Sequence, residues 1–216
     1  MKYLNRISEK LKEADFFLQR MALTEREVDE LNYYFSAFTS AARSVTFVLQ
    51  YVGSALSWFE EWYAEVQARQ RGDKAAKYLL EARNEALKTG AQPIAYGEVV
   101  RFPNGEEKLV NFFSYLGSEP PTEVPSMDVL YTCTHQMQNL VQIVGEFFDR
   151  FEEEVWDASK EKREVLAHLT HFRPVIHGGA APSELWQQLV DFIGGANFQP
   201  PRPSEAIRAL RERYGS

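Results

Sequence analysis

Arg83, Arg43, a set of histidines and a run of glutamates are the residues of this 216-residue chain whose type and spacing bear on chemistry. Arg83 stands among Ala76, Leu79, Leu80, Ala86 and Leu87, and at about 3.6 residues per turn it falls in the middle of that apolar helix face. A guanidinium there needs partners, because burying it unpaired is costly. The commoner role is structural, an arginine paired with a carboxylate or with helix carbonyls. The functional role is an arginine lining a cleft that binds an anion such as an RNA phosphate. Arg43 is the only charged residue between Leu31 and Phe59. It either lines the same cleft as Arg83 or sits at an interface, and arginine's enrichment at interfaces favours the second.

His168 and His171 lie three apart on an expected helix, with His177 six residues on. Three imidazoles could hold zinc. The acidic residue of a zinc-hydrolase motif is absent from His168-Leu169-Thr170-His171, so a solvated or capping role is expected and no metal is assigned. His135 reads as a core or cleft histidine. Glu152-Glu153-Glu154 could pass for a carboxylate metal site, but a diiron bundle needs Glu-x-x-His pairs on two helices. None occurs, and the run reads as a solvated face. Trp58, Phe59, Trp62 and Tyr63 could stack bases, although a bundle core or dimer contact is the commoner use of such a group. There is no Gly-rich phosphate loop and no dinucleotide fingerprint. Neither Ser54 nor Cys133 carries the flanks of a nucleophile. No catalytic residue is assigned and no cofactor is expected.

The elements that must position these residues follow from the apolar spacing. Leu4, Ile7, Leu11, Ala14, Leu18 and Met21 predict a first helix over 3–21. Thr24, with Glu27 three residues later, reads as the capping box of a second. Val28, Leu31, Phe35, Phe38, Ala42, Val45, Leu49 and Val52 keep the rhythm without a break, and small uncharged residues on the opposite side predict a second contact surface. Gly53-Ser54 marks a break. A third helix runs to Arg71-Gly72, and a fourth from Asp73 as cap to Lys88, stopped by Gly90. Asn104-Gly105 between two runs rich in Val, Ile, Phe and Tyr predicts a β-hairpin over about 93–116. A Pro-rich loop over 118–125 leads to a long fifth helix capped by Ser126, a sixth reaching His171, and a short helix from Ser183 to Ile193. The fold class is therefore all-α, an up-down bundle of five to six main helices with an inserted hairpin. Residues 1–195 form the bundle, and 196–216 a Pro-rich linker with a short helix capped by Ser204.

Composition is that of a globular protein, with 44% hydrophobic and 25% charged residues. The net charge of −7 argues against a generally basic surface for nucleic acid or membrane, while leaving room for a local basic cleft. A lone cysteine, Cys133, excludes an internal disulfide and a thiolate zinc cluster. No signal-peptide core follows Met1, and polar residues break up the apolar stretch of the second helix, so no membrane is expected and the cytoplasm fits best.

Arg83-Asn84-Glu85-Ala86-Leu87-Lys88, near the end of a bundle helix, resembles the signature of the HEPN superfamily, helical-bundle domains of which many are metal-independent ribonucleases. That motif is an arginine, usually followed by a polar residue, with a histidine four to six positions beyond the arginine's neighbour. Arg83 and Asn84 match its first half, and Lys88 stands where the closest-spaced histidine would be. The helix carrying Ala41-Ala42-Arg43-Ser44 resembles the partner helix of such bundles. The likeness spans residues 1–90 and the fifth helix. It implies a site built on Arg83, Asn84 and Lys88, with Arg43, read from its place in an uncharged helix, as the further candidate. In the family, histidine is suited to proton transfer near neutral pH. Lysine, with a reference pKa near about 10.4, is not. The resemblance therefore implies a non-catalytic module that binds RNA, a nucleotide or a protein partner. An active ribonuclease using Arg83 with a non-standard base is the first alternative, and a structural protein without a small-molecule ligand the second. A homodimer through the second helix, or through the aromatic end of the third, is expected.

Overall fold

Leu4, Ile7, Leu11, Ala14, Leu18 and Met21 form the buried edge of α1 (Leu4–Leu23), the face their spacing predicts. The computed structural model describes residues 4–95, 97–101, 103–113, 128–176 and 184–215. Its architecture is the expected all-α bundle with an inserted hairpin. α2 (Val28–Gly53) runs against α1, and its Leu31, Phe35, Phe38, Val45, Leu49 and Val52 complete the seam. The capping box does not form. Thr24 Oγ1 donates to the Arg20 carbonyl and so finishes α1, while α2 starts after Glu27 without a side-chain cap.

α3 (Phe59–Gly72) and α4 (Lys74–Thr89) meet at Asp73. Asp73 Oδ1 accepts from the Ala76 amide as the expected N-cap, and Gly90, at φ 72°, ends α4. The α2–α3 junction is tight: a Cβ on Gly53 would lie 2.0 Å from the Phe59 ring, so only glycine fits. Phe59 and Trp62 turn inward onto Phe147 and Phe151 of α5 (Val129–Val155), with Trp62 5.5 Å from Phe151 between ring centroids, and Tyr63 stacks on Phe59. Those three aromatics are core. Trp58 is not: it stands 78% exposed at the head of α3, with a left-handed φ of 63°.

The hairpin pairs β1 (Glu98–Arg101) with β2 (Glu107–Val110), Glu98 opposite Val110 and Arg101 opposite Glu107, around Gly105 at φ 84°. It is anchored at its base. Asn32 of α2 donates to the Ile94 carbonyl and accepts from the Ile94 amide, at 3.2 and 3.1 Å. Phe113, bridged to Ile94, packs its ring 5.8 Å from Phe35 and 4.7 Å from Tyr78. The α5 N-cap is Asp128, which accepts from the Leu130 and Tyr131 amides. The expected cap Ser126 and the loop over 118–125 lie outside the described residues.

α6 (Ala158–Ile176) and α7 (Glu184–Gly194) pack against each other. Beyond the prolines, α8 (Pro203–Ala206) and α9 (Arg208–Tyr214) return to α1 and α5 and bury Ile207, Leu210 and Tyr214. Arg213 binds both oxygens of Asp15, at 3.0 and 2.9 Å. The Tyr214 hydroxyl donates to Asp15 at 2.7 Å and accepts from Gln19. Burial, then the Asp15 carboxylate, pushes the Tyr214 hydroxyl up to about 12. Arg211 reaches Asp149 at 2.8 Å, its guanidinium lying over Gly145, where a Cβ would come within 2.5 Å of it. Glu152 corrects the solvated-face reading of its run. It is 7% exposed and accepts from the Ser204 amide and hydroxyl and from Arg202, while Glu153 and Glu154 remain exposed. Its partners lie 50 and 52 residues away in sequence and close only when the tail folds back.

Among the described residues no helix is long and apolar enough to cross a membrane.

Candidate functional site

α2, α3, α4 and one residue of α5 surround a cleft of about 560 Å³. α2 supplies Phe38, Thr39, Ala42, Arg43, Thr46 and Gln50. The small side chains of that run, which gave α2 its uncharged outer face in the sequence, leave the depression. α3 closes the opposite side with Tyr63, Val66 and Arg71, and Tyr63 is held in place by the Gln50 amide donating to its hydroxyl at 2.6 Å. α4 forms the third wall with Lys77, Leu79, Leu80 and Arg83. Gln136 of α5 completes it.

The structure thus brings Arg43 and Arg83 to one cleft. Arg43 is half-buried, its guanidinium 4.3 Å over the Phe47 ring and 3.4 Å from Thr46 Oγ1. Arg83 is also half-buried and reaches Asn84 Oδ1 at 3.2 Å through Nη1. Its Nε is buried with no hydrogen-bond partner among the described residues. The core-face position read for Arg83 is displaced slightly. The buried seam of α4 is Ala75, Tyr78 and Leu79, which leaves Leu80 and Arg83 at the cleft edge rather than inside the core. Asn84 and Lys88 are exposed and do not line the cleft.

Arg71 and Lys77 join the two arginines as lining residues, and no carboxylate is among those that form the walls. Among the described residues none of the four cations makes an ion pair with an acidic side chain. Arg71 Nε donates to the Gln67 carbonyl at 3.2 Å, a bond that leaves its charge unneutralised. Concentrated like charge between low-dielectric walls focuses a positive potential on the cavity. The apolar floor of Phe38, Ala42, Val66 and Leu79 gives a ligand body somewhere to bury.

Gln136 is the second unusual member. It is 8% exposed, yet its Oε1 has no hydrogen-bond partner among the described residues. Leaving a buried acceptor unsatisfied costs about 1–3 kcal/mol. The cleft therefore holds an orphaned donor, Arg83 Nε, and an orphaned acceptor, Gln136 Oε1, that do not pair with each other.

His135 lies outside the lining. Its Nε2 is 3.1 Å from Asp73 Oδ2 and 3.3 Å from the Asn139 amide nitrogen, so it braces the α3–α4 corner against α5 instead of entering the cleft. His168 and His171 sit on the exposed side of α6, and His177 is outside the described residues. Among the described residues no three His, Cys, Asp or Glu side chains cluster as metal ligands. Cys133 is buried, and burial pushes its thiol well above the ordinary range.

A family model, that of the bacteriophage lambda protein ea47, matches residues 4–142. The chain belongs to the ea47 family. No curated protein and no solved structure matches it. The ea47 match runs from the start of α1 to the middle of α5, so it holds every residue of the cleft, from Phe38 to Gln136. The clamp that α8 and α9 make on α1 and α5 lies beyond it.

Proposed function

We propose that the chain is a binding module that takes a phosphate-bearing nucleotide, free or within RNA, into the cleft between α2, α3 and α4 and does not cut it. One observation carries the reading: four cations without a single carboxylate line one cleft, in a chain of net charge −7. A phosphate needs such a concentration of donors, and Arg83 and Arg43 offer planar forks that match its oxygens. Ligand pockets of this kind span about 300–1,000 Å³, so the cleft volume suits a nucleotide. The likeness of Arg83-Asn84 to the HEPN signature supports the same ligand class. Binding is favoured over cleavage because no histidine or carboxylate lines the cleft to move a proton at neutral pH. A cytoplasmic setting, where nucleotides abound, suits this role.

The test is titration of the purified protein and its Arg83→Ala variant with ribonucleotides and a short single-stranded RNA, at low and moderate salt. Saturable binding that weakens in the variant and with salt, over RNA that stays intact on a denaturing gel, is expected. No binding by the unaltered protein at low salt removes the reading. Cleavage that disappears with Arg83 replaces it with the ribonuclease alternative.

The homodimer has support of its own. Between Leu31 and Phe59 the only charge is Arg43, and Tyr33, Phe47 and Tyr51 of α2 are exposed, with Trp58 beyond them. A second copy of the same face meets it with no buried carboxylate to desolvate. Light scattering that returns the 24.9 kDa of one chain at micromolar concentration removes the dimer.

A further inference from the structure

We infer that Gln136 reads the base of a free mononucleotide, accepting an N–H from the base edge through Oε1 while the cations of the walls hold its phosphates. The inference rests on the nucleotide reading above and goes further, naming the part of the ligand that reaches the inner wall. Three observations carry it. Among the described residues Gln136 is the one cleft residue contributed by α5, so it brings a polar group of a fourth helix to the lining. It is more than nine-tenths buried, and its carbonyl oxygen has no partner. Among the apolar residues of the lining, Leu80 is 38% exposed and offers a planar base a surface, beside a closed floor of Phe38, Val66 and Leu79.

The cations of the walls draw a phosphate toward themselves and favour its ionised oxygens, which are acceptors and leave Gln136 Oε1 unsatisfied. The complementary group is a neutral N–H. The ring and exocyclic nitrogens of nucleobases supply one, and the final torsion of a glutamine side chain is broad enough for the amide to turn toward it. Lys77 and Arg83 lie six residues apart on α4, a rise of about 9 Å, so the positive charge is spread over the length of a polyphosphate rather than focused on one oxygen. The Arg83 guanidinium, one of whose donors is unpartnered, takes a phosphate oxygen or a base acceptor. The ligand that answers both orphaned groups has an anion and a donor within one molecule of nucleotide size.

Sites built to hydrogen-bond a ligand group reject analogues that lack it far more strongly than apolar pockets do. The experiment is calorimetric titration of the full chain with ATP, GTP, CTP, UTP and inorganic triphosphate, and with a ten-nucleotide RNA, for the unaltered protein and for Gln136→Leu and Gln136→Glu. At least one nucleoside triphosphate is expected to bind about tenfold or more tighter than inorganic triphosphate. Gln136→Leu should erase that margin and leave inorganic triphosphate binding in place, while Gln136→Glu, which keeps an acceptor, should retain the margin. Thermal melts establish that both variants are folded, and comparison of the nucleotides with inorganic triphosphate needs no variant at all. Equal binding of inorganic triphosphate and every nucleotide overturns the inference, as does a base margin that survives Gln136→Leu. RNA binding tighter than that of every mononucleotide assigns the cleft to a polymer and overturns it too. No binding of any phosphate compound is a different failure, that of the nucleotide reading itself.

Discussion

Two sets of cations in this bundle are treated in opposite ways. Arg69, Arg202, Arg211 and Arg213 each reach a carboxylate, of Glu146, Glu152 and Glu153, Asp149 and Asp15 respectively. Arg43, Arg71, Lys77 and Arg83 reach none and converge on a cavity. Acidic residues outnumber basic ones by 31 to 24, and yet no carboxylate is among the residues that line the cleft. The first set joins elements, three of the four fastening the tail to α1 and α5 and Arg69 fastening α3 to α5. The second joins nothing. An arginine that secures a fold can be told from one held open for a ligand by asking where its counter-charge is.

The largest effect separates the tail from the rest. Deleting residues 202–216 exposes the surface covered by Ile207, Leu210 and Tyr214 and leaves buried Glu152 without Arg202 and Ser204. At about 1.5–3 kcal/mol per large apolar side chain, the loss is on the order of 5 kcal/mol, enough to consume the stability of many domains. Urea unfolding should lose its cooperative transition or shift it far downward, and a shortened chain as stable as the full one would dissolve the clamp side of the comparison.

Next comes Arg83→Ala, which should weaken nucleotide binding by about 30-fold, the equivalent of one charge-assisted hydrogen bond of about 2 kcal/mol. It should leave the melting temperature nearly unchanged, because no counter-charge is abandoned. A large fall in melting temperature would move Arg83 into the structural set.

Tyr214→Phe should cost about 1 kcal/mol near neutral pH through its bonds to Asp15 and Gln19. The folded hydroxyl titrates at about 12 against an ordinary 10, so its stabilisation is complete below pH 10 and is lost as pH rises to 12. Denaturation curves of the unaltered protein should therefore decline across that window relative to the phenylalanine variant. Arg69→Ala should cost less, at most about 1 kcal/mol, because the pair is partly exposed and screened. Here the sign reverses: the Arg69 bond holds the Glu146 carboxyl below its ordinary range. The difference between variant and unaltered protein should be greatest at neutral pH and should vanish in acid, once Glu146 is protonated. The smallest effects belong to Lys88→Ala, an exposed position outside the lining that should change stability by less than about 0.5 kcal/mol and binding not measurably, and to Asn84→Ala, which removes the acceptor of Arg83 Nη1 and should weaken binding by no more than about threefold. A strong binding defect in either would extend the site along α4.

Much of the scaffold was legible in the sequence because it repeats. The seams of α1 and α2 recur over five to seven turns, and Asn104-Gly105 marks a turn that few other residues tolerate. The candidate site was legible in part. Arg43 and Arg83 stand out because each is a charge in apolar surroundings, but their meeting depends on how α4 crosses α2, and no local pattern encodes that angle. Arg71 and Lys77 occupy exposed polar positions like any other on α3 and α4, and become cleft residues only because the two helices meet at Asp73 and bring them to the rim. Gln136 did carry a signal. It lies three residues after Cys133 and four before Leu140, a polar group on the buried face of α5. Glu152 lies on that face too, and its run of neighbouring glutamates disguised it.

Asp73 has a consequence for how the molecule breathes. One oxygen caps α4 through the Ala76 amide, and the other accepts from Asn139 and faces His135, both on α5. An ordinary first helical turn frays by itself, and its amides exchange with solvent through small local openings. Here the turn cannot rotate away without releasing α5 as well. Protection of the Ala76 amide against deuterium should therefore follow that of the α5 amides rather than that of a helix end, which makes a single peak in an exchange spectrum a gauge of whether the wall of the cleft is docked.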